Sequence, residues 1–206
     1  MKNFLIKFGF IVALLVLVRP VYGNVSLVVL GDSLSAGYGM SQQQSWVGVL
    51  QQRWQQTQPS IELINASISG DTTQGALNRL EGILKTHQPD AVLVELGGND
   101  GLRGFTPTTI KANLRQIIER LQADDIKVAV SQIRIPPNYG QRYSQMFADI
   151  FPELTSATNT VLVPFFMEEI AMKPELMQND GIHPNREAQD DIADIMEPHL
   201  LELLDQ

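Results

Sequence analysis

The chain has 206 residues, 44% of them hydrophobic, which is enough for one well-cored domain and short of two ordinary ones. Its formal charge is −8 and no run of basic residues in its body offers a local phosphate-binding stripe, so nucleic acid is set aside as a partner. There is no cysteine, which excludes a thiol nucleophile, a cysteine metal site and any disulfide.

Residues 1–23 carry the three parts of a secretory signal: Lys2 and Lys7, an apolar stretch from Phe8 to Val18, and Val21-Tyr22-Gly23 as a small-residue cleavage site. The apolar stretch is short for a bilayer span. Arg19 directly after it is atypical, and a retained anchor or a genuine first helix are the alternatives. Cleavage before Asn24 would leave a single domain, 24–206, with 12 basic against 23 acidic residues, a net of −11. The expected location is then the periplasm or the medium, with no stable membrane anchor after cleavage.

The next stretch, Leu27-Val28-Val29-Leu30, is an apolar β run that stops at Gly31-Asp32-Ser33. In an open α/β sheet, ligand sites lie beyond the carboxyl ends of the strands, so this run delivers a serine to a place suited to chemistry. A Gly- and Ser-rich loop, 35–45, leads to a helix from about Trp46 to Gln56, with Trp46, Val47, Leu50 and Trp54 at helical spacing. A short strand, Ile61 to Asn65, precedes a second glycine turn, Ser69-Gly70-Asp71, after which Asp71 or Thr72 can cap a helix running to about Lys85.

Ala91-Val92-Leu93-Val94-Glu95-Leu96 reads as a strand covered on both faces and ends in Gly97-Gly98-Asn99-Asp100-Gly101. Thr106-Pro107 is a strong helix start for the periodic run Ile110, Leu114, Ile117, Ile118, Leu121. A fourth strand covers Lys127 to Gln132. A long loop, 133–140, contains Pro136-Pro137, and a helix from about Arg142 to Ala157 is expected to bend or break near Pro152. A short strand, Val161 to Pro164, comes before Asp180-Gly181-Ile182-His183-Pro184-Asn185, which opens onto a last helix to about Leu204 that Pro198 should kink or break. Strands alternating with helices imply a parallel sheet with helices on both faces.

Three strands end in polar glycine turns, and a parallel sheet gathers such turns on one edge. Acyl transfer needs a nucleophile, a base, an orienting acid and donors for the developing oxyanion. Ser33 offers the hydroxyl, Gly70 leaves a backbone N–H open to approach, and Asn99 offers a side-chain amide. Of the three histidines, His87 lies at a helix exit and His199 late in the last helix. His183 alone sits in a loop, with Asp180 three residues earlier to reach the ring nitrogen facing away from the serine. Alone, each of these turns reads better as ordinary loop chemistry than as a site.

Gly31-Asp32-Ser33-Leu34, Gly70 in Ser-Gly-Asp, Gly98-Asn99-Asp100 and Asp180-Gly181-Ile182-His183-Pro184 resemble, in order, the four sequence blocks of the GDSL or SGNH hydrolases. The resemblance implies a three-layer αβα sandwich around a five-stranded parallel sheet, flavodoxin-like. It further implies Ser33 as nucleophile, His183 as general base and then acid, and Asp180 as its orienter. The oxyanion hole it implies is formed by the N–H groups of Ser33 and Gly70 with the Asn99 amide. No metal or cofactor is called for.

Two loops beside this edge are candidates for holding an acyl chain. Gly101-Leu102-Arg103-Gly104 has glycines flanking an apolar residue and could move over it, and Ile135-Pro136-Pro137 offers a rigid apolar wall; each reads equally as plain surface loop. The expected partner is a small acyl ester or thioester, lysophospholipids among them, acted on by a monomer. Nucleotide binding fits poorly: there is no Gly-x-Gly-x-x-Gly, no Lys-Ser/Thr after the first turn, and the second strand ends in Asn65 rather than an acid. A non-catalytic binding relative would lack one of Ser33, Asp180 or His183. Carbohydrate O-acetyl ester cleavage, served by the same blocks, is the remaining alternative.

Overall fold

The computed structural model describes residues 24–205; the expected signal segment, 1–23, lies outside the described residues. Five strands, β1 (Val25–Gly31), β2 (Ile61–Asn65), β3 (Ala91–Glu95), β4 (Lys127–Ser131) and β5 (Val161–Val163), form one sheet in the order β2-β1-β3-β4-β5. Every neighbouring pair is parallel, with Gly31 of β1 opposite Glu95 of β3. This is the flavodoxin-like order, whose chain direction reverses between β1 and β3 and so opens a crevice at their carboxyl ends.

Alternate residues of each strand feed two apolar layers. Val28, Leu30, Val92 and Val94 pack toward α3 (Thr73–His87), α5 (Pro107–Gln122) and α6 (Gln141–Thr158). Leu27, Val29, Ala91 and Leu93 pack toward α2 (Trp46–Thr57) and α8 (Ala188–Asp205). Both faces being covered accounts for strands that read as continuous apolar runs, and β1 is buried from Ser26 onward. The caps fall where the residue types place them: the Thr72 hydroxyl accepts from Gly75 N–H, and Thr106 accepts from Thr109 N–H ahead of Pro107.

Of the bend or break expected at Pro152 and the kink or break at Pro198, the break does not occur: each proline lies inside a continuous helix. Each lies on an exposed face, where the carbonyl left without a donor meets water, while Phe147, Phe151 and Leu154 in α6, and Met196, Leu200 and Leu203 in α8, anchor the opposite face in the core. Short helices also stand where loops were expected: α1 (Ser33–Ala36) and α4 (Gly98–Leu102) follow directly on β1 and β3, and α7 (Met167–Ile170) follows β5. Elements of four or five residues are too short to show a helical period.

Candidate active site

The turn after β1 is shaped by what meets it. A Cβ on Gly31 would lie 2.7 Å from Glu95 Oε2 and 2.9 Å from both Ser35 Cβ and Ser67 Oγ, so only glycine lets these side chains converge there. Asp32 then caps α1, its Oδ1 accepting from Leu34 N–H at 3.1 Å, and α1 ends at Gly37, which takes the left-handed φ of +77°. Ser33 is thereby fixed at the first position of a short helix at the sheet's carboxyl edge, 9% exposed.

His183 comes to it from the far end of the chain. Its Nε2 lies 2.9 Å from Ser33 Oγ and its Nδ1 lies 2.6 Å from Asp180 Oδ2. The other Asp180 oxygen accepts from the backbone N–H groups of Ile182 and His183, at 2.9 and 3.0 Å, so the carboxylate is locked in its own tight turn. Gly181, at φ +67°, allows that turn. Burial raises the Asp180 carboxyl, but the His183 backbone N–H, the His183 ring and the Ile182 N–H outweigh it and hold it at about 2. The carboxylate therefore stays charged and keeps the proton of Nδ1 on the imidazole, leaving Nε2 free to accept one.

Gln178 ties the histidine loop to the serine side: its side-chain amide donates to the carbonyls of Tyr38 and Pro184, at 2.8 and 3.0 Å, and its backbone N–H donates to His183 O. Behind the loop, buried Gln189 accepts from Trp46 N–H at 2.8 Å and donates to Asn185 O at 2.9 Å, joining α8 to α2. Tyr38 packs its ring against the imidazole with centroids 4.2 Å apart and the planes tilted by 31°.

Donors for an anion stand on the same edge. One Asn99 amide hydrogen goes to Asp32 Oδ2 at 3.0 Å, which fixes the amide, and the second has no partner among the described residues. The backbone N–H of Ser33 and that of Gly70, a residue at φ +81°, have no partner among the described residues. Asp100, fully buried, holds the two donor loops together by accepting from Thr73 N–H and Thr73 Oγ1 at 2.9 and 2.6 Å.

A cavity of about 320 Å³ opens beside Ser33, Asn99 and His183. Leu102, Ile135 and Pro136 line it, as expected of the two loops. Gly101 does not: it is buried, and a Cβ there would meet Ile135 Cγ2 at 2.7 Å and Phe147 at 2.8 Å, so this glycine serves close packing under the wall. The turn between Gly101 and Gly104 is tethered by Arg103, which donates to Gly70 O at 3.0 Å.

Sequence reasoning missed several residues here. Phe165, Met167 and Met177 also line the cavity, contributed by loops and by the first residue of the short helix α7, none of which shows a periodic pattern. Tyr38 was legible only as part of a flexible glycine loop. Asp32 was read as a turn residue, yet it is 3% exposed and binds Asn99; burial pushes its carboxyl up to about 6 despite the Leu34, Asn99 and His183 contacts that favour the charge. Glu95 was absorbed into an apolar strand.

A doubly wound parallel sheet whose carboxyl edge gathers a serine, a histidine and an acid beside an apolar cavity defines a hydrolase of the α/β class. The chain belongs to the GDSL-like Lipase/Acylhydrolase family, whose model matches residues 29–190. It is 51% identical over 179 residues to thioesterase 1/protease 1/lysophospholipase L1 of Escherichia coli K12, covering 87% of this chain and 85% of that one. To the arylesterase of Vibrio mimicus it is 48% identical over 178 residues, covering 86% and 89%. Among solved structures, the psychrotrophic esterase EstA of a Pseudoalteromonas species, inhibited by monoethylphosphonate, matches with a TM-score of 0.85 at 46% identity over 88% of this chain and 99% of that one.

Proposed function

We propose that this protein hydrolyses acyl esters and thioesters through an acyl-enzyme on Ser33, and that lysophospholipids are among its substrates. The observation that carries this reading is the continuous Ser33–His183–Asp180 hydrogen-bond series at the mouth of an apolar cavity. His183 Nε2 takes the proton of Ser33 as Oγ attacks the acyl carbon, and Asp180 stabilises the imidazolium. The oxyanion is met by the N–H groups of Ser33 and Gly70 and the Asn99 amide. His183 returns the proton to the departing alcohol or thiol, and then draws one from the water that releases the acid.

The names of the relatives, a thioesterase/lysophospholipase and an arylesterase, support the same substrate classes. Leu34, Ile133, Ile135 and Phe165 give the cavity an aliphatic and aromatic wall suited to an acyl chain. A sugar O-acetyl ester would call for more polar recognition than this wall supplies. Residues 1–23 would carry the chain into the cell envelope, which N-terminal sequencing of the exported protein checks by whether it begins at Asn24.

The test is hydrolysis of p-nitrophenyl esters of increasing chain length, followed by acyl thioesters and lysophospholipids, with Ser33→Ala alongside. The expected result is chain-length-dependent turnover that falls at least ~10⁴-fold in the variant. Turnover that survives Ser33→Ala would refute the assignment.

A further inference from the structure

Glu95 is the last residue of β3, fully buried, on the sheet face that Leu93 and Ala91 share with α2 and α8. Nothing in the packing of that face calls for a carboxyl, since the residues before it on the same side are aliphatic. A lone acid retained in such a place costs free energy and needs a compensating role. Its contacts indicate the role. Oε2 accepts from Ser35 Oγ at 2.8 Å and from Asp32 N–H at 3.3 Å, the residues on either side of Ser33, and it fills the space that Gly31 leaves open. It does not line the substrate cavity.

Resting on the assignment of Ser33 as nucleophile, we propose that Glu95 is a positioning residue for the reaction: it grips the turn on both sides of Ser33 and so sets the aim of Oγ toward His183 and the incoming acyl group. Two features support this. Three elements meet at this carboxyl, β1, α1 and β3, and the hydroxyl it holds, Ser35, is itself fully buried, so no water competes for the bond. In addition, burial, reinforced by the Asp32 carboxylate, pushes the Glu95 carboxyl well above the ordinary range, against the weaker pull of Ser35 and the Asp32 N–H. The carboxyl thus accepts two hydrogen bonds at a place shielded from water, directly beneath the turn that carries Ser33.

The experiment compares Glu95→Leu, Glu95→Gln and Ser33→Ala in the purified protein on one soluble ester, reading kcat and KM separately and following unfolding by circular dichroism. Glu95→Leu leaves the Ser35 hydroxyl and Asp32 N–H without their acceptor, and is expected to lower kcat roughly 10- to 100-fold at constant KM, the scale of a small misalignment of reacting atoms. Glu95→Gln is neutral, of the same shape and still an acceptor, and should restore kcat to within about threefold of the parent protein. The proposal is overturned if Glu95→Leu loses stability but keeps kcat, if KM carries the loss, or if Glu95→Gln is no better than Glu95→Leu.

Should Glu95→Leu not fold, Ser35→Ala cuts the same contact from the other end. A kcat reduced about fivefold at constant KM supports the proposal, and an unchanged kcat refutes it. Ser33→Ala separates the two readings. If it is inactive while the Glu95 and Ser35 variants turn over normally, only the positioning role falls; if it retains activity, the nucleophile assignment falls and the positioning role with it.

Discussion

Two concavities of comparable size lie at opposite ends of the same sheet, and they differ in what lines them. At the amino ends of β3 and β4, a polar cleft of about 400 Å³ is walled by the last turns of α3 and α5. Its charges answer one another: Arg120 pairs with both Glu81 and Asp124 on the surface. At the carboxyl ends, the 320 Å³ cavity is lined mainly by apolar side chains, and on the same edge stand a hydroxyl bonded to an imidazole and the backbone N–H groups of Ser33 and Gly70, which have no partner among the described residues. Beneath it lie Asp32 and Glu95, two buried acids that water would stabilise better. What separates the two is their lining, and rigidly held polar groups beside an apolar wall are what mark a candidate site.

Substitutions at the two ends should break or sharpen this contrast. The largest effect after loss of Ser33 is expected at Asn99, where Asn99→Ala removes an anchored donor and should lower kcat roughly 10²–10³-fold. Steady-state kinetics that show an unchanged kcat would remove Asn99 from the oxyanion role.

Next comes Asp32. Its carboxyl is held up at about 6 in the folded protein, against 3.8 for the free group, so the folded chain binds the proton more tightly than the unfolded one. Its contribution to stability is fully present below about pH 4 and is lost as pH rises toward 6, a change on the order of 2–3 kcal/mol. Urea unfolding at pH 4 to 7 should show that slope in the parent protein and a flatter one in Asp32→Asn.

Smaller effects are expected in the cavity wall. Leu102→Ala or Ile135→Ala should shift chain-length preference, with roughly tenfold loss on long acyl esters and little change on acetate or butyrate esters. An equal loss on all chain lengths would contradict an acyl-binding role. At the far end, Arg120→Ala should leave both kcat and the melting temperature unchanged, because exposed ion pairs contribute little.

Much of this was legible from residue order. Continuous apolar strands, the Thr72 and Thr106-Pro107 helix starts and the α/β alternation are local signals, and each fell where expected. His183 could be singled out because His87 reads as a helix exit and His199 falls late in the last helix, and the three-residue spacing allows Asp180 to reach its ring. What stayed hidden depends on distant partners. That Asp32 reaches Asn99 across two strands, or that Tyr38 covers His183, has no local signature. Glu95 did carry one: an acid inside Ala-Val-Leu-Val-Glu-Leu, in a strand buried on both faces, contradicts the pattern around it, and such contradictions gather at functional sites. Pro152 and Pro198 do not break their helices because a proline on a solvated face costs a helix less than one in its core.

The 150-residue interval between Ser33 and His183 has a consequence for how the protein comes into being. The proposed nucleophile stands at the start of α1, directly after the first strand, and its proposed base in a loop just before the last helix, docked through Gln178 onto Tyr38 and through Gln189 onto α2. The two halves of the proton path meet only after every intervening strand has taken its place, so turnover should be the last property to return on refolding, behind secondary structure and behind burial of Trp46 and Trp54. A nascent chain is thus harmless to surrounding esters until it is whole, and its catalytic rate is a clock for the completion of folding.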